Sequence, residues 1–251
     1  MCRLLGYVAQ SPRSLRDLLG SSYESFEQFS CDLHDDGWGV AWFDGSKIRV
    51  QKEPVPAHTS ERYRSLADQP FGAALVHYRW ATQSLEVELG NTHPFSAETV
   101  AFAHNGSVSP PSSLDGLIST PFSTDLEGTT DSERYFRAVL SASHGTDLEE
   151  GLRRVIAKIS ESLRYTSLNV LMLTPDTLYA ACFYAPTSLS DDLPPDYYDM
   201  YYLATEDSVV VASSGWEHGE WTPLANGSLL RISRASGEAR VTPLATSVPS
   251  T

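Results

Sequence analysis

Cysteine is scarce in this chain, and what there is does not pair. Cys2, Cys31 and Cys182 are far apart and odd in number, which excludes a disulfide framework and a CxxC zinc site. The seven histidines include no HExxH pair, so no metal is expected. The ordered glycines of dinucleotide and P-loop sites are missing, as is the GxSxG nucleophile elbow, and no cofactor is expected. Basic residues are outnumbered by acidic ones, 18 to 32, and the formal net charge is −14. That balance excludes a nucleic-acid partner, whose affinity is built from Lys and Arg neutralising phosphates. No apolar run approaches the roughly 18 to 20 residues that span a bilayer. Residues 1–20 lack the apolar centre and small-residue cleavage site of a signal peptide. No membrane partner is expected, and the location is expected to be cytoplasmic.

What is present suffices for a real core. The 251 residues are 41% hydrophobic and 20% charged, and no repeat or linker divides them, so one domain over 1–251 is expected, with a disordered tail from about 245. Short β-branched or aromatic runs bounded by turn residues predict strands at 3–9, 38–43, 47–52, 73–80 and 99–104. Asp44-Gly45 joins two of them as a two-residue hairpin would. Helical periodicity predicts helices at 11–19, 132–143 and 148–163, the last with Leu152, Val155, Ile156, Ile159 and Leu163 on one face. Strands return at 167–174, 177–184, 201–205, 208–212, 229–234 and 239–244. Strands, then central helices, then strands imply α+β: two sheets covered by helices. Residues 107–130 and 185–199 read as long loops, either variable surface or lids.

Cys2 is the most informative residue. Once Met1 is removed, a thiol and a free α-amine share one residue. Their reference pKa values, about 8.5 and about 7.7 to 8.0, make proton transfer between them nearly balanced, so the amine can serve the thiol as base. A small apolar residue opening a first strand is the other reading of Cys2.

Four further segments each have a chemical and a structural explanation. In His77-Tyr78-Arg79-Trp80-Ala81-Thr82, Arg79 ends an apolar strand and offers a fork matched to a carboxylate; a structural salt bridge is the alternative. In Gly90-Asn91-Thr92-His93-Pro94-Phe95, His93 either touches substrate or is a loop histidine. Asn105-Gly106, at the end of Phe102-Ala103-His104, reads either as a type I′ turn or as an oxyanion hole. Asn226-Gly227 reads as such a turn. In Thr129-Thr130-Asp131-Ser132-Glu133, Thr130 or Asp131 caps a helix, or Asp131 binds an ammonium group.

An N-terminal Cys followed in order by Arg-Trp-Ala-Thr, Asn-Thr-His-Pro-Phe, His-Asn-Gly and Thr-Asp-Ser-Glu resembles the glutamine amidase domain of the class II glutamine amidotransferases, which are N-terminal-nucleophile hydrolases. The Met-Cys-Arg start and Asp36-Gly37-Trp38-Gly39 are similar to the short stand-alone members, among them the amidase of ergothioneine biosynthesis. The resemblance implies a four-layer αββα sandwich of two mostly antiparallel sheets and an amidase acting on glutamine or a γ-glutamyl conjugate. It implies Cys2 as nucleophile, Asn105 and Gly106 at the oxyanion, Arg79 with Thr82 on the substrate carboxylate, Asp131 on its ammonium, and His93 nearby. It leaves open a separate synthase that accepts the ammonia, a stand-alone hydrolase of γ-glutamyl hercynylcysteine sulfoxide, and a silent binding module. Asp191-Asp192, Asp196-Tyr197-Tyr198-Asp199 and Tyr201-Tyr202 combine carboxylates with aromatic faces, which suits a cationic leaving group; a solvated acidic loop running into a Tyr-rich strand is the other, simpler reading.

Overall fold

The computed structural model describes residues 2–32, 34–81, 86–189, 193–215 and 220–244. In chain order the first strands are β1 (Arg3–Arg13), β2 (Trp38–Asp44), β3 (Lys47–Glu53), β4 (Phe71–Tyr78), β5 (Phe95–Ala97) and β6 (Val100–Ser109). Then follow β7 (Arg164–Leu173), β8 (Thr177–Cys182), β9 (Met200–Ala204), β10 (Ser208–Ser213), β11 (Thr222–Leu224), β12 (Ser228–Ser233) and β13 (Ala239–Pro243). The helices are α1 (Leu15–Leu19), α2 (Tyr23–Asp32), α3 (Glu61–Ala67), α4 (Thr120–Ser123), α5 (Asp131–Ala142) and α6 (Leu148–Ser162).

The strands form two antiparallel sheets. One runs β11-β9-β10-β1-β4-β2-β3 and the other β13-β12-β8-β7-β6-β5. Period-2 alternation explains how they stack. Leu4 and Val8 of β1 join Leu75, Ala101, Ala103, Leu171 and Leu178 in a layer between the sheets. Leu5 and Tyr7 point the other way, into a core with Leu15, Leu19, Tyr23, Phe26 and Tyr63 from α1, α2 and α3. The second sheet turns Phe102, Val170 and Met172 outward onto Phe136, Val139, Leu152, Ile156 and Ile159 of α5 and α6. Each such Leu, Ile or Phe contributes roughly 1.5–3 kcal/mol by leaving water. The result is a four-layer αββα sandwich with β1 at the middle of its sheet.

Several expectations need correcting. The predicted helix over 11–19 is only Leu15–Leu19, because β1 continues to Arg13, which pairs with Phe71 past a register shift. Ser14 caps the shortened helix, accepting from the Asp17 N–H at 3.1 Å. Helices α2 and α3 were not expected: mean hydropathy over α2 is close to neutral, and of its apolar residues only Tyr23 and Phe26 are buried. Residues 107–130 are not one loop. Strand β6 runs through Ser109, a 3-10 helix spans Pro111–Leu117, and α4 follows. Asn226-Gly227 does make a turn, but it carries the chain from one sheet to the other, and the Asn226 amide exchanges two hydrogen bonds with the Tyr184 backbone. The hairpin between β2 and β3 closes around Gly45 and Ser46, with Asp44 paired to Lys47. The expected tail from 245 lies outside the described residues.

Candidate active site

Strand alternation brings Cys2, Arg79 and Asn105 toward one end of the layer between the sheets. Cys2 shares its side of β1 with Leu4, and Arg79 follows Leu75 and His77 on β4. Asn105 follows Ala101 and Ala103 on β6, the strand lying across from β1 and β4. A cleft of about 30 Å³ opens there, walled by Cys2, Arg79, Trp80, Ala81, Asn91, His93, His104, Gly106, Thr130, Asp131 and Ser132. Five of the seven predicted residues thus share one wall. Asn105 is fully buried and is not part of that wall, and Thr82 lies outside the described residues. A larger cavity of about 780 Å³, between Ser96–Val100 and His144–Leu148, contains no cysteine and none of these residues.

The Cys2 thiol is half-buried and donates to the Trp80 carbonyl oxygen at 3.9 Å. Burial pushes this thiol up; the nearby Arg79 guanidinium pulls it down, and Asp131 adds to the rise. Cys182 is buried in the layer between the sheets and is pushed up to about 12 by that burial, which makes it inert. Cys31 is exposed on α2.

Arg79 is only 3% exposed, yet no carboxylate lies within ion-pair distance among the described residues. The salt-bridge alternative therefore fails. Its guanidinium donates to two backbone carbonyls, Glu86 O at 3.0 Å and Asp36 O at 3.4 Å. Carbonyls orient a cation without neutralising it, and burial lowers its pKa. Among the described residues, its other three N–H donors have no hydrogen-bond partner. The Asp36-Gly37-Trp38-Gly39 segment supports this corner: Asp36 Oδ2 accepts from the Ala81 N–H at 2.7 Å, and Gly37 O from the Arg79 N–H at 2.8 Å.

Asp131 opens α5 behind the cap residue Thr130, whose hydroxyl accepts from the Glu133 N–H at 3.1 Å. One carboxylate oxygen of Asp131 accepts from the Val108 N–H at 2.6 Å, and the residue borders the cleft. Asn105-Gly106 is not a turn. Both residues lie in β6, opposite Asn169 and Leu168, with a register shift directly after them. Among the described residues, both amide atoms of Asn105 are buried without a hydrogen-bond partner, a cost natural folds seldom accept away from a functional site. Gly106 has φ +156°, and a Cβ there would overlap the Ser167 carbonyl, so only glycine fits.

His93 is buried, stacked on His77 at 4.2 Å between ring centroids, and among the described residues the His93 ring has no hydrogen-bond partner. Burial holds both well below the usual histidine range, with Arg79 adding to the effect on His77 and His77 to that on His93. His104 faces the Ser167 carbonyl through Nε2 at 2.9 Å, so Nε2 carries the proton and Nδ1 accepts from Ser132 Oγ at 2.9 Å. Sequence reasoning did not single out Asn91, His104 or Glu133, although all three stand inside the quoted motifs. Tyr197 and Tyr198 are 2% and 1% exposed, and the Arg3 guanidinium lies 4.3 Å from the Tyr197 ring centre. The Tyr197 face expected to meet a cationic leaving group is taken. Asp191-Asp192 lies outside the described residues.

Residues 1–245 match the family model of the class-II glutamine amidotransferases. The chain belongs to that family. As a class-II glutamine amidotransferase it is a hydrolase acting on amides. It is 29% identical over 236 residues to the gamma-glutamyl-hercynylcysteine sulfoxide hydrolase of Mycobacterium tuberculosis (strain H37Rv), covering 86% of this chain and 88% of that one. It is 33% identical to the protein YafJ of Escherichia coli (strain K12), over 54% of this chain and 52% of YafJ; that match spans about half of each. The solved structure of a glutamine aminotransferase class-II domain protein from Silicibacter pomeroyi superposes with a TM-score of 0.68 at 27% identity, covering 97% of this chain and all of that one.

Proposed function

We propose that this amidotransferase hydrolyses the γ-amide of glutamine or of a γ-glutamyl conjugate through Cys2, made N-terminal by loss of Met1. One observation carries the reading: a thiol, a guanidinium with no ion-pair partner among the described residues and a carboxylate, on Cys2, Arg79 and Asp131, border the same cleft. Arg79 takes the substrate α-carboxylate on its free N–H edge, with Thr82 assisting, and Asp131 takes the α-ammonium. His93 closes the wall as a neutral ring.

The Cys2 sulfur adds to the γ-carbonyl carbon while its proton passes to the Cys2 α-amine. The oxyanion accepts hydrogen bonds from the Asn105 amide and the Gly106 N–H. The α-ammonium then protonates the departing nitrogen, the C–N bond breaks, and a thioester on Cys2 remains. Water adds to the thioester carbonyl and gives a proton to the amine; the C–S bond then breaks, the ammonium returns that proton to the Cys2 sulfur, and free glutamate is released. Arg79 offsets part of the burial that would otherwise hold the thiol protonated. A free Cys2 thiol suits a reduced, cytoplasmic setting.

The hydrolase relative, aligned over most of both chains, supports a γ-glutamyl conjugate such as γ-glutamyl hercynylcysteine sulfoxide as substrate. Occupation of the Tyr197 ring by Arg3 favours the second reading, in which glutamine is the substrate and ammonia passes to a separate synthase. Steady-state kinetics on both substrates decide between them. A conjugate preference of a hundredfold or more supports the hydrolase, and equal rates support the ammonia supplier. No Cys2-dependent turnover of either substrate would reject the amidase reading.

A further inference from the structure

Asn91 is buried, borders the cleft, and is hydrogen-bonded both to the loop beneath Arg79 and to the loop leading to Asp131. Its Nδ2 donates to the Glu86 carbonyl at 3.2 Å, the same carbonyl that accepts from Arg79 Nη2 at 3.0 Å. Its Oδ1 accepts from the Thr129 N–H at 2.8 Å and from Thr129 Oγ1 at 3.4 Å, two residues before Asp131. One side chain therefore ties the loop under the guanidinium to the loop that delivers the carboxylate.

The surroundings leave this bridge little freedom. Gly90 and Gly128 put the two backbones in contact: a Cβ on Gly90 would come within 2.9 Å of Glu127 O, and a Cβ on Gly128 would overlap Asn91 Oδ1 and Gly90 O. From the far side, the buried Glu133 carboxylate accepts from the Glu127 and Gly128 N–H groups, both at 2.8 Å. The second loop is thus gripped by Glu133 and Asn91 together. Glu133 has no hydrogen bond on the Arg79 side among the described residues, so Asn91 supplies the side-chain hydrogen bonds that couple the two. An amide is required because one end must donate to a carbonyl while the other accepts from an N–H. Aspartate could only accept, and it would add a negative charge beside Arg79.

We propose that Asn91 is a positioning residue that sets the separation between Arg79 and Asp131, and so fixes selection for substrates carrying both an α-carboxylate and an α-ammonium. The inference rests on the roles given above to Arg79 and Asp131. Its test compares kcat/KM for L-glutamine, for 4-carbamoylbutanoate, which lacks the amine, and for 4-aminobutanamide, which lacks the carboxylate. The wild type, Asn91→Ala and Asn91→Asp are assayed, each checked for its melting temperature. Asn91→Ala is expected to raise KM for L-glutamine about tenfold or more, with kcat within about threefold. The preference for L-glutamine over each analogue should shrink by a similar factor. Asn91→Asp, which keeps the shape and the Thr129 bond, should lose selection mainly for the carboxylate. A merely structural role would instead lower all three substrates by one common factor, and that result, or full selectivity in both variants, overturns the inference alone. A wild type that does not prefer L-glutamine to either analogue overturns the Arg79 and Asp131 roles, and the inference with them.

Discussion

Arg79→Lys isolates the planar fork from the positive charge. In the wild type two N–H groups of the guanidinium are held by Glu86 O and Asp36 O, which aims the remaining edge. Lysine keeps the charge but offers a point donor in place of two parallel N–H groups. The substrate carboxylate therefore loses one charge-assisted hydrogen bond, about 1.5–3 kcal/mol. At 1.4 kcal/mol per decade this is roughly a ten- to hundredfold rise in KM. The α-carboxylate takes no part in bond breaking, so the lost interaction is equal in ground and transition states, and kcat should hold within a few fold. The assay is glutamate release over a wide glutamine range, with a thermal melt to show that the fold survives. An unchanged KM, or a loss confined to kcat, would refute the carboxylate role. The reasoning rests on the absence of an acid beside Arg79 among the described residues, so a protein carboxylate within 4 Å in an experimental structure would also defeat it.

Asn105→Ala should lower kcat by about a hundred- to a thousandfold with little effect on KM if its unpartnered amide serves the oxyanion; wild-type kcat removes it from the site. Gly106→Ala should abolish soluble protein or lower the melting temperature by many degrees, since its Cβ overlaps the Ser167 carbonyl; a normal melt would contradict the packing. His77 and His93 are held below their ordinary range by burial, whereas an unfolded histidine titrates near 6.5. Their stabilisation is complete above about pH 6.5 and is lost as pH falls below it, because only the unfolded chain then takes up protons. Urea unfolding should give a loss of about 1.4 kcal/mol per histidine between pH 7.5 and pH 5.5, roughly 3 kcal/mol for the pair. A flat profile would mean that the rings are protonated in the folded state.

The two sheets were legible because alternation and turn residues are local signals: the strands at 38–43, 47–52 and 177–184 appear within two residues of their predicted ends. The amphipathic face of α6 was equally plain. Helix α2 was not, since Tyr23 and Phe26 are its only buried apolar residues and the rest are mostly polar. The site was readable as residue types in an order, yet not as geometry. Nothing local says that Asn105-Gly106 stays in a strand; that follows from β7 pairing past it and from the Ser167 carbonyl filling the space of a side chain. Asn91 stayed hidden for the same reason. Its partners, Glu86 and Thr129, are joined to it by loops whose meeting only the fold arranges.

The central claim is that an N-terminal Cys2 attacks the γ-carbonyl. Incubating the active protein with a chloroketone analogue of glutamine, followed by intact-mass measurement and peptide mapping, tests it most directly. The predicted result is a protein lacking Met1 that carries one adduct, on Cys2, formed in step with loss of activity and prevented by glutamine, while Cys2→Ala takes up none. Full activity in protein that retains Met1, or inactivation that tracks an adduct on Cys31 or Cys182, would contradict the account.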